Sequence, residues 1–163
     1  LPQQRGFVRG RAVNDNILEI EAHALHIARH YSEKAGIALF DFSAAFPSLS
    51  RDWLFATLEA MHLPASTINM LRQLYDNCDM DICYGTVQGV PFPVKAGIKQ
   101  GCPASGSLFA LALDPFLRRV LSRIPMRLSA FVAFADDLAT TLFKLHKSLR
   151  LLAFLKPRGS IST

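Results

Sequence analysis

A chain of 163 residues, half of them apolar, has the length of one domain and enough hydrophobic surface for a real core, which excludes intrinsic disorder. Its longest apolar runs, around Ile37 to Phe40 and Leu108 to Leu113, fall well short of the roughly 20 residues a membrane span needs, and no signal-like stretch opens it. The net charge of +5 is lopsided: the chain is slightly acidic up to Asp114, whereas Arg118, Arg119, Arg123, Arg127, Lys144, Lys147, Arg150, Lys156 and Arg158 face only Asp136 and Asp137. A basic half with one acidic pair suits a polyanion gripped around bound metal ions, although a solvated basic surface explains the charge equally well. Cys78, Cys83 and Cys102 match neither a secretory disulfide framework nor a zinc spacing. A soluble, intracellular protein with free thiols is expected.

In chain order, Asn14 to Tyr31 reads as a helix, capped by Asn14 or Asp15, with Ile17, Ile20, Ala24 and Ile27 on one face and Gly36 at its end. Ile37-Ala38-Leu39-Phe40 reads as a buried strand that delivers Asp41 at its end. A helix follows Ser50, with Trp53, Leu54, Leu58 and Met61 inward, and another follows Pro64. Between Met80 and Ile98, alternating apolar residues broken by Gly85 and Gly89 predict a hairpin, held to an edge by Pro91 and Pro93. Ser105 to Leu113 predicts a buried helix, kinked or interrupted at Asp114-Pro115 and resuming to about Arg123. Phe131 to Phe143 predicts a hairpin with Asp136-Asp137 at its turn, and the last twenty residues look helical before fraying. No repeat or linker divides the chain, so it reads as one mixed helix-and-sheet unit.

Three segments carry the chemistry. Asp41, within Leu39-Phe40-Asp41-Phe42-Ser43-Ala44-Ala45-Phe46, is an acid placed at the end of an apolar strand. Asp136 and Asp137 are adjacent acids among apolar neighbours, and a divalent cation would relieve their repulsion. Phosphoryl transfer by two ions needs carboxylates that bridge them, which Asp41 and Asp136 can be if their strands are neighbours. Gly97-Ile98-Lys99-Gln100-Gly101-Cys102-Pro103 sets glycines around a polar Gln just before a helix, where a backbone can approach a phosphate. Taken singly, a lone strand-end Asp is more often a turn or cap, and an Asp-Asp turn is mostly structural.

In this order and spacing the three segments resemble motifs A, B and C of reverse transcriptases, most of all those of non-long-terminal-repeat retrotransposons. Gln4-Arg5-Gly6-Phe7-Val8-Arg9-Gly10-Arg11 with Asp15-Asn16-Ile17 resembles the family's fingers segment, so the likeness covers nearly the whole chain. It implies an α+β polymerase palm, an antiparallel sheet backed by helices, over residues 36–163, with a fingers remnant over 1–35. It further implies RNA-directed DNA polymerase activity on an RNA template, a DNA primer and deoxynucleotides, with two Mg2+ ions that Mn2+ can replace. By the same resemblance Asp41 and Asp136 bind the ions, Asp137 supports them and the Phe42 carbonyl completes one site. Phe46 matches the steric gate against a ribose 2′-hydroxyl, Gln100 and Gly101 line the nucleotide pocket, and Arg11 contacts template or primer. Two departures stand out: Pro47 where the family usually has Asp, and Gly106 where it usually has Pro. The family's first fingers motif would precede Leu1 and its thumb would follow Thr163, so a copy truncated at both ends is expected. The alternative is a catalytically inactive remnant that at most binds nucleic acid, and an RNA-templated RNA polymerase is disfavoured by Phe46. His23, His26 and His30 share a helix face but match no known zinc pattern, and a solvated face accounts for them better.

Overall fold

A computed structural model describes residues 3–30, 36–124 and 129–142. The expected C-terminal helix, Arg127 and the basic residues beyond Phe143 lie outside the described residues. In chain order the elements are α1 (Val13–His30), β1 (Gly36–Phe40), α2 (Ala45–Ser48), α3 (Arg51–Ala60), α4 (Ala65–Tyr75), β2 (Asp79–Met80), β3 (Cys83–Tyr84), β4 (Val87–Gln88), β5 (Phe92–Pro93), α5 (Ser105–Leu121), β6 (Phe131–Phe134) and β7 (Asp137–Leu142). This mixture of helix and antiparallel sheet is α+β, as expected. Two compact units divide the chain: Leu1–Phe42 with Asp114–Thr163, and Ser43–Leu113. No helix among the described residues is long and apolar enough to cross a membrane.

The first unit is built on an antiparallel sheet of order β1-β7-β6. β6 is buried along Phe131, Val132 and Ala133, and α1 covers one face of the sheet through Ile20, packed with Ala130 and Val132. α1 starts one residue earlier than expected, with Asp15 in its first turn accepting from the Ala12 N–H at 3.3 Å, where a carboxylate suits the positive end of the helix. Ile20 and Ile27 point inward as expected, whereas Ile17 is exposed. Gly36 does not terminate that helix; it is already the first residue of β1, paired with Leu142.

β1 corrects a second expectation. Among the described residues it is not a buried strand but an edge strand, bonded only to β7, with Ile37 53% and Leu39 77% exposed. A continuous apolar run reads as burial on both faces, yet only the Ala38 and Phe40 face is partly covered here. Ile37 and Leu39 instead line an open cavity of about 820 Å³ between α1 and the sheet.

In the second unit, the Ser50 hydroxyl caps α3 by accepting from the Trp53 N–H at 3.2 Å, and Leu54 and Leu58 are fully buried. Trp53 is not inward as expected: it is 47% exposed, with its indole N–H donating to the Ala112 carbonyl at 2.9 Å. α4 begins directly after Pro64, whose fixed φ suits a helix start. The expected hairpin near Met80 to Ile98 is broken into two short ribbons, β2 with β5 and β3 with β4, all exposed.

α5 runs unbroken through Pro115, with no interruption at the Asp114-Pro115 step. Proline inside a helix costs about 3 kcal/mol or more through its missing N–H, while each buried large apolar side chain returns roughly 1.5–3 kcal/mol. Leu108, Phe109, Leu117 and Val120 are all at most 5% exposed and outweigh that cost. The division between the two units falls at Leu113 and Asp114, beside the proline.

Candidate functional site

The acidic hairpin belongs to the first unit. β6 and β7 are joined by the two-residue turn Ala135-Asp136, closed by the pair Phe134 and Asp137. A two-residue hairpin turn needs a positive φ, and Ala135 supplies it at 55°. Asp136 therefore sits at the tip, half-buried, and Asp137 opens β7, exposed. On the other side of β7, Phe40 pairs with Leu138. One residue further along that register Asp41 comes level with Asp137, so three carboxylates gather at one edge of a single sheet.

Among the described residues none of these three acids forms an ion pair. Nor do three or more His, Cys, Asp or Glu side chains among them converge into a ready metal cage. Like charges gathered at one end of a sheet repel one another, and a divalent cation drawn among them would relieve that repulsion. The donors are hard carboxylate oxygens free of competing cations, which fits Mg2+. Phe42, whose carbonyl is the expected fourth donor, is anchored by an edge-to-face contact of its ring with Phe116, with centroids 5.6 Å apart. Asp41 and Asp137 also rim the cavity beneath α1, but its lining is otherwise mostly apolar and does not suit a triphosphate.

Phe46, Gln100 and Gly101 lie in the second unit. The loop before Gln100 is stitched to α2 and the residue after it: the Ile98 N–H donates to the Phe46 carbonyl at 2.9 Å and the Gly97 N–H to the Leu49 carbonyl at 2.8 Å. Gly97 is forced by this approach, since its φ is +83° and a Cβ would lie 2.6 Å from the Pro47 carbonyl oxygen. Arg51 clamps the same loop, donating to the carbonyls of Gly97 at 3.2 Å, Ala96 at 3.4 Å and Tyr75 at 3.1 Å. Beyond it Gln100 and Gly101 form an exposed turn, and the Ser105 hydroxyl at the start of α5 donates to the Lys99 carbonyl. Phe46 is half-buried with its ring stacked on Phe109.

Other basic and histidine candidates have structural partners. Arg11 donates to the Gln4 carbonyl at 2.6 Å, and Arg118 donates to Asp114 at 2.6 Å. Burial alone would raise the Asp114 carboxyl, but the Arg118 hydrogen bond and nearby positive charge hold it below its ordinary value. His23 accepts or donates at the Thr141 hydroxyl over 2.8 Å, and burial, followed by the neighbouring His26, lowers its pKa against the opposing pull of Glu19. The His26 and His30 rings are in tilted contact, with centroids 4.5 Å apart.

Two residues carry more of the site than sequence reasoning assigned them. Arg51 is one; the other is Gln4, buried beneath the acidic turn with its side-chain amide bonded to Ala135. Neither role has a local sequence signal: Gln4 stands out only as part of the family-like block that opens the chain, and an Arg at a helix start reads as solvated.

A family model described as reverse transcriptase (RNA-dependent DNA polymerase) matches residues 1–158. Curated relatives include the transposon TX1 uncharacterized 149 kDa protein of Xenopus laevis, 29% identical over 143 residues, covering 83% of this chain and 11% of that protein. Another is the retrovirus-related Pol polyprotein from the type-2 retrotransposable element R2DM of Drosophila melanogaster, 31% identical over 141 residues, covering 84% of this chain and 13% of that protein. The chain thus spans only a small part of either relative's length. Among solved structures, the apo telomerase of Candida tropicalis truncated from its C-terminal domain aligns with a TM-score of 0.70 at 12% identity, covering 93% of this chain and 32% of that one. The telomerase of Candida albicans in complex with a fragment of telomeric RNA aligns at 0.66 with 14% identity, covering 94% of this chain and 29% of that one. At such identities the likeness is one of fold.

Proposed function

Since the chain belongs to the reverse transcriptase family, a family of nucleotidyltransferases, we propose that it performs RNA-directed DNA synthesis, extending a DNA primer on an RNA template with deoxynucleotides. The observation that carries this reading is the strand register that brings Asp41 level with Asp137, beside Asp136 at the hairpin tip. Asp41 and Asp136 would hold two Mg2+ ions, with Asp137 and the Phe42 carbonyl in support. When bound, the ions would supply Lewis-acid stabilisation of the charge that develops as the primer 3′-hydroxyl loses its proton and attacks the nucleotide α-phosphate, breaking its bond to the β-phosphate oxygen and releasing pyrophosphate.

The chain's own residues position the reactants. Asp137 opens the paired strand β7, Asp136 sits on the tight turn just before it and Asp41 directly follows β1, so the sheet would hold the backbone of all three close to fixed and little ordering would remain at the moment of reaction. Gln100 and Gly101, on the turn that leads into α5, would meet the incoming nucleotide, where an uncluttered glycine backbone allows close approach. Phe46 would present its ring to the sugar and exclude a 2′-hydroxyl. Arg11, also bonded to the Gln4 carbonyl, would touch template or primer phosphate from the same N-terminal segment.

The test is a primer-extension assay of the chain beside Asp136→Asn. Template-directed incorporation by the chain, lost at least a thousandfold in the variant, is the expected result. Incorporation unchanged by the substitution refutes the carboxylate assignment, and none from either protein favours a remnant that only binds nucleic acid.

A further inference from the structure

Gln4 is 3% exposed, and its side-chain amide meets both polar atoms of one residue's backbone. Nε2 donates to the Ala135 carbonyl at 3.1 Å, and Oε1 accepts from the Ala135 N–H at 2.9 Å. The same oxygen accepts from the Gly6 N–H at 2.8 Å. Of the side chains, only Asn and Gln carry an amide donor and an acceptor side by side, as a neighbouring strand's backbone would. Here that amide stands in for the strand partner that the Ala135-Asp136 turn cannot have.

We propose that Gln4 is a positioning residue for the acidic hairpin: it locks the Ala135 backbone and thereby fixes the direction in which Asp136 leaves the turn. The proposal rests on the reading of Asp136 as a metal ligand. Three further observations show that the amide is held in place. The backbone around Gln4 bridges β6 in parallel, with the Arg5 N–H donating to the Ala133 carbonyl and the Ala133 N–H to the Gln3 carbonyl, each at 2.9 Å. Arg5 ties this segment to α1 through Asn16 at 2.6 Å and Glu19 at 2.5 Å, while Arg11 holds the Gln4 carbonyl from the other side. Gly6 approaches so closely that a Cβ there would overlap the Ala135 nitrogen and lie 2.8 Å from its Cα.

Such a clamp has work to do at this turn. Ala135 adopts a left-handed conformation that an L residue with a Cβ disfavours, and the two adjacent acids repel each other. Without an external partner the turn would exchange among conformers that aim Asp136 differently. Partners that orient a metal ligand typically account for roughly 10–100-fold in metal affinity.

The test uses the full chain with two variants. Gln4→Met keeps the volume and removes every hydrogen bond; Gln4→Glu keeps the acceptor for the Ala135 N–H and loses the donor to its carbonyl. Amide hydrogen exchange by NMR and Mn2+ affinity by titration are read on each, with Asp136→Asn as the reference for lost metal binding. In Gln4→Met the Ala135 amide is expected to exchange at least about tenfold faster while the amides of Leu54 and Leu117 keep their rates, and Mn2+ binding should weaken about tenfold. In Gln4→Glu the Ala135 amide should stay protected while Mn2+ binding still weakens.

An unchanged Ala135 exchange rate in Gln4→Met overturns the proposal, as does an acceleration shared equally by Leu54 and Leu117, which would mark a general packing role. Should Gln4→Met fail to fold, wild-type Mn2+ affinity in Gln4→Glu overturns it. If the unsubstituted chain and Asp136→Asn bind Mn2+ equally, the metal assignment of Asp136 fails separately, and selective exchange at Ala135 still decides whether Gln4 locks the turn.

Discussion

Phe46 lies almost parallel to Phe109, the ring centroids 4.4 Å apart and the planes 14° from one another. The stack fixes the ring of a residue that sits on a single helical turn, α2, which would otherwise have little to orient it. A ring that selects by contact, as proposed for Phe46, must not swing aside, and Phe109 would act as its backstop.

Phe46→Ala is expected to raise ribonucleotide use relative to deoxynucleotide use at least tenfold, and Phe109→Leu to raise it by less, in a competition assay that measures both incorporations. Phe46→Ala should also lower stability by about 3 kcal/mol, at the low end for a phenylalanine because the ring is only half-buried. Unchanged sugar selection in Phe46→Ala would leave the ring a packing element alone.

Gly97→Ala is expected to cost about 2–5 kcal/mol, the sum of a left-handed conformation and a Cβ pressed against the backbone of Pro47. Gly101 provides the control, since it has a similar φ of +82° and nothing lies within 4 Å of where a Cβ would stand. Gly101→Ala should therefore lose only the conformational part, about 1–2 kcal/mol. Urea denaturation midpoints measure both, and equal losses would show that the contact with Pro47 contributes nothing.

His23 makes stability depend on pH in a defined direction. Burial, then His26, lowers its folded pKa below the ordinary value, with Glu19 opposing. Well above pH 6.5 the ring is neutral in both states and no penalty arises. As pH falls below that value the unfolded chain takes up a proton before the folded one does, so stability drops until the folded pKa is also passed. Thermal melts of the chain and of His23→Gln between pH 7.5 and 5.5 should show a steeper fall for the unsubstituted chain. Parallel curves would remove His23 from the account.

The sequence made the acidic hairpin, the capped α3 and the start of α4 legible, because each rests on local chemistry: an apolar run flanking two acids, a Ser before a helix, a proline at a helix start. It misjudged β1, since an apolar tetrapeptide says how much surface wants burial but not whether a neighbour is there to bury it. Leu39 shows the gap most clearly. The sequence also overstated Pro115, whose local cost is outweighed by the burial of Leu117 and Val120, a tertiary effect. Gln4 was legible only as part of a family-like block. Its role depends on a contact with Ala135, 131 residues away in the chain, that no local pattern encodes.

The central claim is that Asp41 and Asp136, far apart in sequence, share one metal-binding edge. Iron-directed cleavage tests it most directly: Fe2+ in place of Mg2+, with ascorbate and peroxide, cuts the backbone next to where the ion sits. Cleavage is expected at two places together, residues 41–42 and 135–137, suppressed by excess Mg2+ and abolished by Asp136→Asn. Cleavage confined to the histidines of α1, or at the hairpin but untouched by Asp136→Asn, would contradict the assignment.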